Sequence, residues 1–417
     1  MKNSLLRILL VALALCLCSG LIACQPNDQK PNDDTKTSGK TDDTTGEPEQ
    51  TTGADDTTDA DETSGEPATE PPTVEAISCK LATAADFVRV IGRTRTVGTG
   101  VACDFSASGI EFNAYVEGDL KLKVTTSATS YSSTATAYFT VIVDGVRSAT
   151  RFKANPGTTT LTIASFAEGG VHHVQVLKQT EAMNALCVLE ELSFTGYFAE
   201  APKNADVFIE FIGDSITSGY GNLCANGAEN PGNALNQDGT QSFAYGAVSA
   251  LGVDYSMVSA SGVGVLAGFR EFTADTLFKT ASYYRDSTAY APTRTPDIVV
   301  INLGTNDESK GVNGNNFQAK ATELITLIRT TYGEDVKIVL VYDMMKSGMA
   351  SYWNKAIRAL GGEDAGLYMF KGTRNTGGGN GHPDLATQKK VGLDLAEFLV
   401  EKGLVEQEVP QGDVYCS

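Results

Sequence analysis

One serine in this 417-residue chain stands where a nucleophile works well. Ser215 falls in Phe208-Ile209-Glu210-Phe211-Ile212-Gly213-Asp214-Ser215-Ile216-Thr217-Ser218-Gly219-Tyr220-Gly221, just after an apolar run that suits a buried strand and just before an expected helix. Backbone N–H groups in the first turn of a helix have no partners within it, and they point at whatever negative charge develops beside such a serine. A hydroxyl is a poor nucleophile until a neighbouring imidazole takes its proton, and the same imidazole then returns a proton to a leaving alcohol. The implied chemistry is acyl transfer.

The elements around the serine fall into two regions. From about residue 76 to 198, short strand-like runs are separated by Gly, Ser, Asn and Asp, with no helical period. Among them are 87–91, 109–114, 120–124, 137–143 and 172–177, and Asp144-Gly145 is a hairpin signal. This region reads as an antiparallel β-sandwich. After Pro202, buried strands alternate with helical stretches, the pattern of a mostly parallel sheet covered by helices on both faces over 205–405. Strands are expected at 207–212, 255–258, 298–302, 336–342 and 367–370, and helices at 241–251, 317–332, 352–360 and 385–402.

The block around Ser215 resembles the opening block of the SGNH, or GDSL, hydrolases, and specifically that of carbohydrate esterase family 2. Four separated blocks carry the resemblance. The family's serine corresponds to Ser215, its glycine to Gly262 in Ser261-Gly262-Val263-Gly264, its asparagine to Asn306 in Asn302-Leu303-Gly304-Thr305-Asn306-Asp307, and its histidine to His382 in Gly381-His382-Pro383-Asp384. The resemblance implies a Ser215 nucleophile with His382 as its base, and an oxyanion hole made by the N–H groups of Ser215 and Gly262 and the Asn306 amide. It also implies a β-jelly-roll in front of an α/β/α hydrolase domain, with a segment like Lys178-Gln179-Thr180-Glu181 closing the sandwich. The expected activity is hydrolysis of O-acetyl esters on xylan, glucomannan or derived oligosaccharides, with no cofactor and no metal.

The chain has three histidines. His172 and His173 are adjacent in an expected strand, so they face opposite ways and read as ordinary strand positions. Asp214 and Asp307 read as turn or cap acceptors, and Asp384 as the N-cap of the last helix. Most SGNH hydrolases carry an aspartate three residues before the histidine, and some family 2 members carry one two residues before it. Here those positions are Gly379 and Asn380. Some family 2 esterases look like Ser-His dyads whose histidine leans on a backbone carbonyl, so the resemblance implies a dyad of Ser215 and His382, with the Asn380 side-chain oxygen as the alternative support. Trp353, the single tryptophan, and Tyr220 are candidate substrate contacts, although Trp353 sits in a helical stretch with Ile357 and Leu360 where a core role is the ordinary one.

The chain opens with Lys2 and Arg7, an apolar run and Leu21-Ile22-Ala23-Cys24, which reads as a lipoprotein export signal over 1–23 with Cys24 as lipid anchor. Residues 24–75 are nearly devoid of apolar side chains and read as a disordered acidic tether. Residues 25–75 hold 15 acidic residues and three lysines, so this stretch accounts for −12 of the net −19. An acidic chain lacks the basic surface nucleic acid requires. Residues 406–417 read as a tail. Cys79, Cys103, Cys187, Cys224 and Cys416 remain after the signal and anchor, enough for two bridges at most, in a pairing the spacing leaves open. The expected protein is a monomer at a bacterial cell surface, touching the membrane only through its lipid. Rival readings are a lipid esterase, a non-catalytic carbohydrate-binding lipoprotein with a decayed hydrolase domain, and a transporter-associated solute-binding lipoprotein.

Overall fold

The structure, a computed structural model, describes residues 72–406. The expected signal, Cys24, most of the tether, Cys416 and the tail after 406 lie outside the described residues.

The first region is antiparallel throughout. Its strands are β1 (Glu75–Lys80), β2 (Val88–Ile91), β3 (Arg95–Val97), β4 (Gly100–Ala102), β5 (Gly109–Ser127), β6 (Ala137–Val143), β7 (Val146–Arg147), β8 (Phe152–Ala154), β9 (Gly157–Lys178) and β10 (Leu186–Phe198). All ten belong to one hydrogen-bonded sheet. The runs at 109–114 and 120–124 are one strand: Gly118, at φ +72°, sits in the register shift opposite β9 that carries β5 past its polar middle. Likewise 172–177 is only the end of the long β9. Asp144 and Gly145, both at positive φ, make the expected hairpin turn between Val143 and Val146. Phe112, Leu120, Leu122, Phe139, Ile163, Val174 and Leu192 fill a single core.

The second region contains β11 (Phe208–Gly213), α1 (Ser215–Ser218), α2 (Phe243–Leu251), β12 (Asp254–Ser259), α3 (Ala274–Lys279), β13 (Ile298–Asn302), α4 (Thr305–Ser309), α5 (Gly314–Tyr332), β14 (Lys337–Tyr342), α6 (Ala350–Ala359), β15 (Leu367–Lys371) and α7 (Leu385–Glu401). The five strands are parallel, in the order β12-β11-β13-β14-β15. Alternate residues serve two cores. Phe211, Val300 and Val339 pack with α2 and α7, whereas Ile212, Val299, Ile301 and Leu340 pack with α3, α5 and α6. The chain leaves β11 for one neighbour and later crosses back to the other, so the strand order reverses beside β11. Ligands of open α/β sheets bind at the carboxyl ends of strands at such a reversal. Ser215 stands there.

The two regions meet through buried polar contacts. Arg93 in the segment after β2 forms an ion pair of 2.9 Å with Glu210 of β11, both essentially buried, and Tyr332 donates to the same carboxylate at 2.7 Å. Removing one partner of such a pair strands a buried charge, which typically costs about 3–5 kcal/mol.

Candidate active site

The turn that presents Ser215 is held by its neighbours. Asp214 is the N-cap of α1, its Oδ1 accepting from the Ile216 N–H at 3.0 Å. A side chain at Gly213 would place its Cβ 2.0 Å from Thr217 Oγ1, so only glycine lets the strand turn this tightly into the helix. From below, the Gln388 amide of α7 donates to the Ile216 carbonyl at 3.1 Å and accepts from Phe243 N–H at 2.9 Å, tying α7 and α2 to the turn that carries Ser215.

Ser215 Oγ lies 2.7 Å from His382 Nε2, across 167 residues of sequence. The other ring nitrogen, Nδ1, lies 3.0 Å from the Gly379 carbonyl. A carbonyl can only accept, so Nδ1 carries the hydrogen and Nε2 presents a lone pair to the serine hydroxyl. The supporting turn needs its glycines. Asn380 and Gly381 are both left-handed (φ 56° and 72°), Gly379 N–H donates to Gly221 O at 2.8 Å, and a Cβ at 379 would meet Pro231 Cβ at 2.5 Å. The Asn380 side chain is exposed and makes no hydrogen bond to the imidazole. Asp384 caps α7 by accepting from Thr387 N–H at 2.9 Å.

Ser215 and His382 are each 7% exposed. Burial pushes the His382 pKa down to about 4, against the upward pull of the Gly379 and Asn380 backbone. With no carboxylate to stabilise the imidazolium, the ring is neutral through most of the physiological range. A base must be unprotonated to act, so the acid limb of activity follows this pKa. We expect kcat/KM on an aryl acetate to hold its plateau down to about pH 5 and fall by half near pH 4, measured against pH. A limb near 6.5 would mean an imidazole of ordinary basicity.

Gly262 follows β12 at φ +85°, and its N–H makes no backbone hydrogen bond. Asn306 lies in α4, with Nδ2 3.0 Å from Asp214 Oδ2 and 2.9 Å from Val263 O. It thus joins the Ser215 turn to the Gly262 loop. Asp307 closes that loop by accepting from the N–H groups of Val265, Leu266 and Ala267 at 2.9, 2.7 and 2.9 Å. Complete burial pushes the Asp214 carboxyl up to about 7, with the Ile216 N–H and Asn306 amide pulling the other way. Ser215, Gly262, Asn306 and His382 follow β11, β12, β13 and β15 respectively, so all four blocks stand at carboxyl ends of the sheet.

Tyr220 lies over the histidine, its ring centroid 4.6 Å from that of His382. Trp353 requires a correction. It is 1% exposed, packs edge-on to Phe317 at 5.4 Å and donates to Leu303 O at 3.0 Å, which leaves no face for a ligand. The exposed aromatic beside the site is instead Phe269, 56% exposed, with the Lys310 ammonium 4.0 Å from its ring centroid. It adjoins Gly262, whose added Cβ would meet Phe269 Cβ at 3.1 Å. His172 pairs with Asp144 at 2.7 Å and stacks on Phe166, and His173 faces Glu111, all in the antiparallel region. A cavity of about 300 Å³ lined by Arg89, Phe208, Asp254 and Arg294 adjoins the opposite, amino ends of β11 and β12. Its size does not outweigh the serine–histidine geometry. Among the described residues no group of His, Cys, Asp or Glu is placed to hold a metal, and Cys79, Cys103, Cys187 and Cys224 are free thiols.

An antiparallel sheet domain leading into a five-stranded parallel α/β domain, with a hydrogen-bonded serine and histidine at the strand ends, defines a class of hydrolase fold. Residues 211–369 match the GDSL-like lipase/acylhydrolase family and residues 90–202 the carbohydrate esterase 2 N-terminal family. The region after Pro202 thus matches the SGNH/GDSL hydrolases, and the region before it the N-terminal domain of carbohydrate esterase family 2. It is 30% identical over 246 residues to the cellulase/esterase CelE of Acetivibrio thermocellus, covering 56% of this chain and 28% of that protein. It is 24% identical over 241 residues to an acetylxylan esterase/glucomannan deacetylase of Cellvibrio japonicus, covering 56% of this chain and 64% of the relative. The chain thus spans less than two thirds of both relatives. A family two carbohydrate esterase from Clostridium thermocellum, solved in complex with cellohexaose, superposes with a TM-score of 0.68 at 26% identity over 76% of this chain and all of that one. An acetyl xylan esterase from Butyrivibrio proteoclasticus shares the fold, with a TM-score of 0.69 at 20% identity over 79% of this chain and 99% of that one.

Proposed function

We propose that the protein removes acetyl groups from the hydroxyls of acetylated xylan, glucomannan or derived oligosaccharides, through a dyad of Ser215 and His382. The observation that carries this reading is the 2.7 Å contact between Ser215 Oγ and His382 Nε2, with Nδ1 committed to the Gly379 carbonyl. Ser215 Oγ attacks the acetyl carbonyl carbon as its proton passes to Nε2. The resulting oxyanion takes the N–H groups of Ser215 and Gly262, and the Asn306 amide, which exchanges its Asp214 contact for the new charge. His382 then protonates the departing sugar oxygen and leaves an acetyl-Ser215 ester. Water, deprotonated by the same Nε2, attacks that ester, and acetate is released as Ser215 recovers its proton.

The carbohydrate assignment is supported by the names of the relatives and by polar loops 222–239 and 308–316 near the motifs, where a lipid esterase would want an apolar groove. Phe269 is the aromatic face a sugar would stack on. Phe269→Ala is expected to raise KM for an acetylated oligosaccharide roughly 3- to 10-fold, the equivalent of about 0.5–1.5 kcal/mol, with little change on an aryl acetate. Equal effects on both substrates would remove Phe269 from sugar recognition. We further propose export through residues 1–23 and attachment at the cell surface through a lipid on Cys24, with 24–75 as spacer.

The mechanism is tested by labelling with a fluorophosphonate ester. Intact mass should show one adduct per chain, mapped to Ser215, absent from Ser215→Ala and slow to form in His382→Ala. Undiminished labelling of Ser215→Ala would refute the assignment.

A further inference from the structure

The loop that carries Gly262 is fixed from the antiparallel domain. Glu181, three residues beyond the end of β9, is wholly buried. Its carboxylate accepts from Ser261 N–H at 3.0 Å and from Ser261 Oγ at 2.7 Å. Arg270 Nε donates to the Ser261 carbonyl at 2.6 Å, so every polar group of the residue before Gly262 is committed. Glu181 is itself held, its N–H donating to Gln237 Oε1 at 2.9 Å. The preceding residues anchor the same junction: Lys178 Nζ donates to Asp104 O at 2.6 Å, Gln179 accepts from Arg151 Nε at 2.6 Å, and the Gln179 carbonyl accepts from Gly239 N–H at 2.7 Å. Complete burial pushes the Glu181 carboxyl up, and the two Ser261 donors hold it back.

A peptide N–H is useful to an oxyanion only if its direction is set before the charge appears. The Gly262 N–H belongs to the peptide that begins at the Ser261 carbonyl, and Gly262 at φ +85° has wide rotational freedom of its own. We propose that Glu181 is a positioning residue that aims the Gly262 N–H, so that the antiparallel domain supplies part of the acyl-transfer site. This rests on the deacetylation reading above. Glu181 acts through Ser261 and touches no reacting atom.

The test compares wild type, Glu181→Ala, Glu181→Gln and Ser261→Ala on an aryl acetate, and measures inhibition by a phenylboronic acid, whose adduct on Ser215 mimics the tetrahedral state. Losing a whole oxyanion donor costs about 100- to 1000-fold. A donor left in place but misdirected should cost less, roughly 30-fold in kcat for Glu181→Ala, with KM within about 3-fold and boronate affinity weakened in step with kcat. Glutamine keeps an acceptor for Ser261 and should recover most of the loss. Ser261→Ala, which keeps its N–H bond, should lose roughly 5-fold in kcat and in boronate affinity, a comparison that stands even if Glu181→Ala fails to fold. Wild-type kcat and boronate affinity in a folded Glu181→Ala or in Ser261→Ala would overturn the inference. So would a loss that appears in KM alone. A wild type without Ser215-dependent turnover would instead overturn the deacetylation reading, and this inference with it.

Discussion

His382→Ala is expected to lower kcat on an aryl acetate by about 10³- to 10⁴-fold, whereas Asn380→Gly should stay within about 3-fold of wild type. The contrast follows from which atom supports the imidazole. The Gly379 carbonyl meets Nδ1 at 3.0 Å, while the Asn380 side chain bonds Tyr220 rather than the imidazole and its left-handed backbone shapes the turn. Glycine suits that backbone, so the substitution removes the side chain without straining the turn. Comparable losses in both variants would return the supporting role to the Asn380 amide. Steady-state kinetics on the purified variants, with circular dichroism to verify folding, makes the comparison.

Asn306→Ala is expected to cost about 100- to 1000-fold in kcat with KM changed only a few-fold. Its amide is aimed by two acceptors, Asp214 Oδ2 at 3.0 Å and Val263 O at 2.9 Å, and it lies between the serine's turn and the Gly262 loop. Alanine removes the donor and also releases the Val263 carbonyl, so part of the effect comes through Gly262. Asn306→Asp keeps the shape but puts a second carboxyl against buried Asp214, and it should be at least as damaging. An Asn306→Ala enzyme with normal kcat and a raised KM would show that the amide binds ground-state substrate rather than the oxyanion.

Much of this arrangement is legible in the sequence because its determinants are local. The five parallel strands are short apolar runs bounded by turn residues; the Ser215, Gly262 and Asn306 blocks come directly after β11, β12 and β13, and His382 comes eleven residues after β15. Asp384 as the N-cap of α7 and Asp144-Gly145 as a hairpin turn are likewise decided by the residue and its near neighbours. Where the reading falters, long-range pairing or burial decides. Glu117-Gly118-Asp119 looks like a turn, yet β9 pairs along both sides of it and draws it into one strand. Trp353 is offered to substrate by its chemistry but claimed by Phe317 and the Leu303 carbonyl. Phe269 has no local signal at all, since only the folded loop sets it beside Gly262. Glu181 lies in a segment the sequence marks, but its partner is 80 residues away and no pattern reveals the bond.

The central claim is that Ser215 and His382 deacetylate carbohydrate, and the direct measurement is acetate released from acetylated xylan and glucomannan by wild type and by Ser215→Ala. Steady release by wild type on at least one polymer, falling to background in Ser215→Ala, is the predicted result. Equal release by the two proteins, or none from either polymer by a wild type that hydrolyses an aryl acetate, would contradict it.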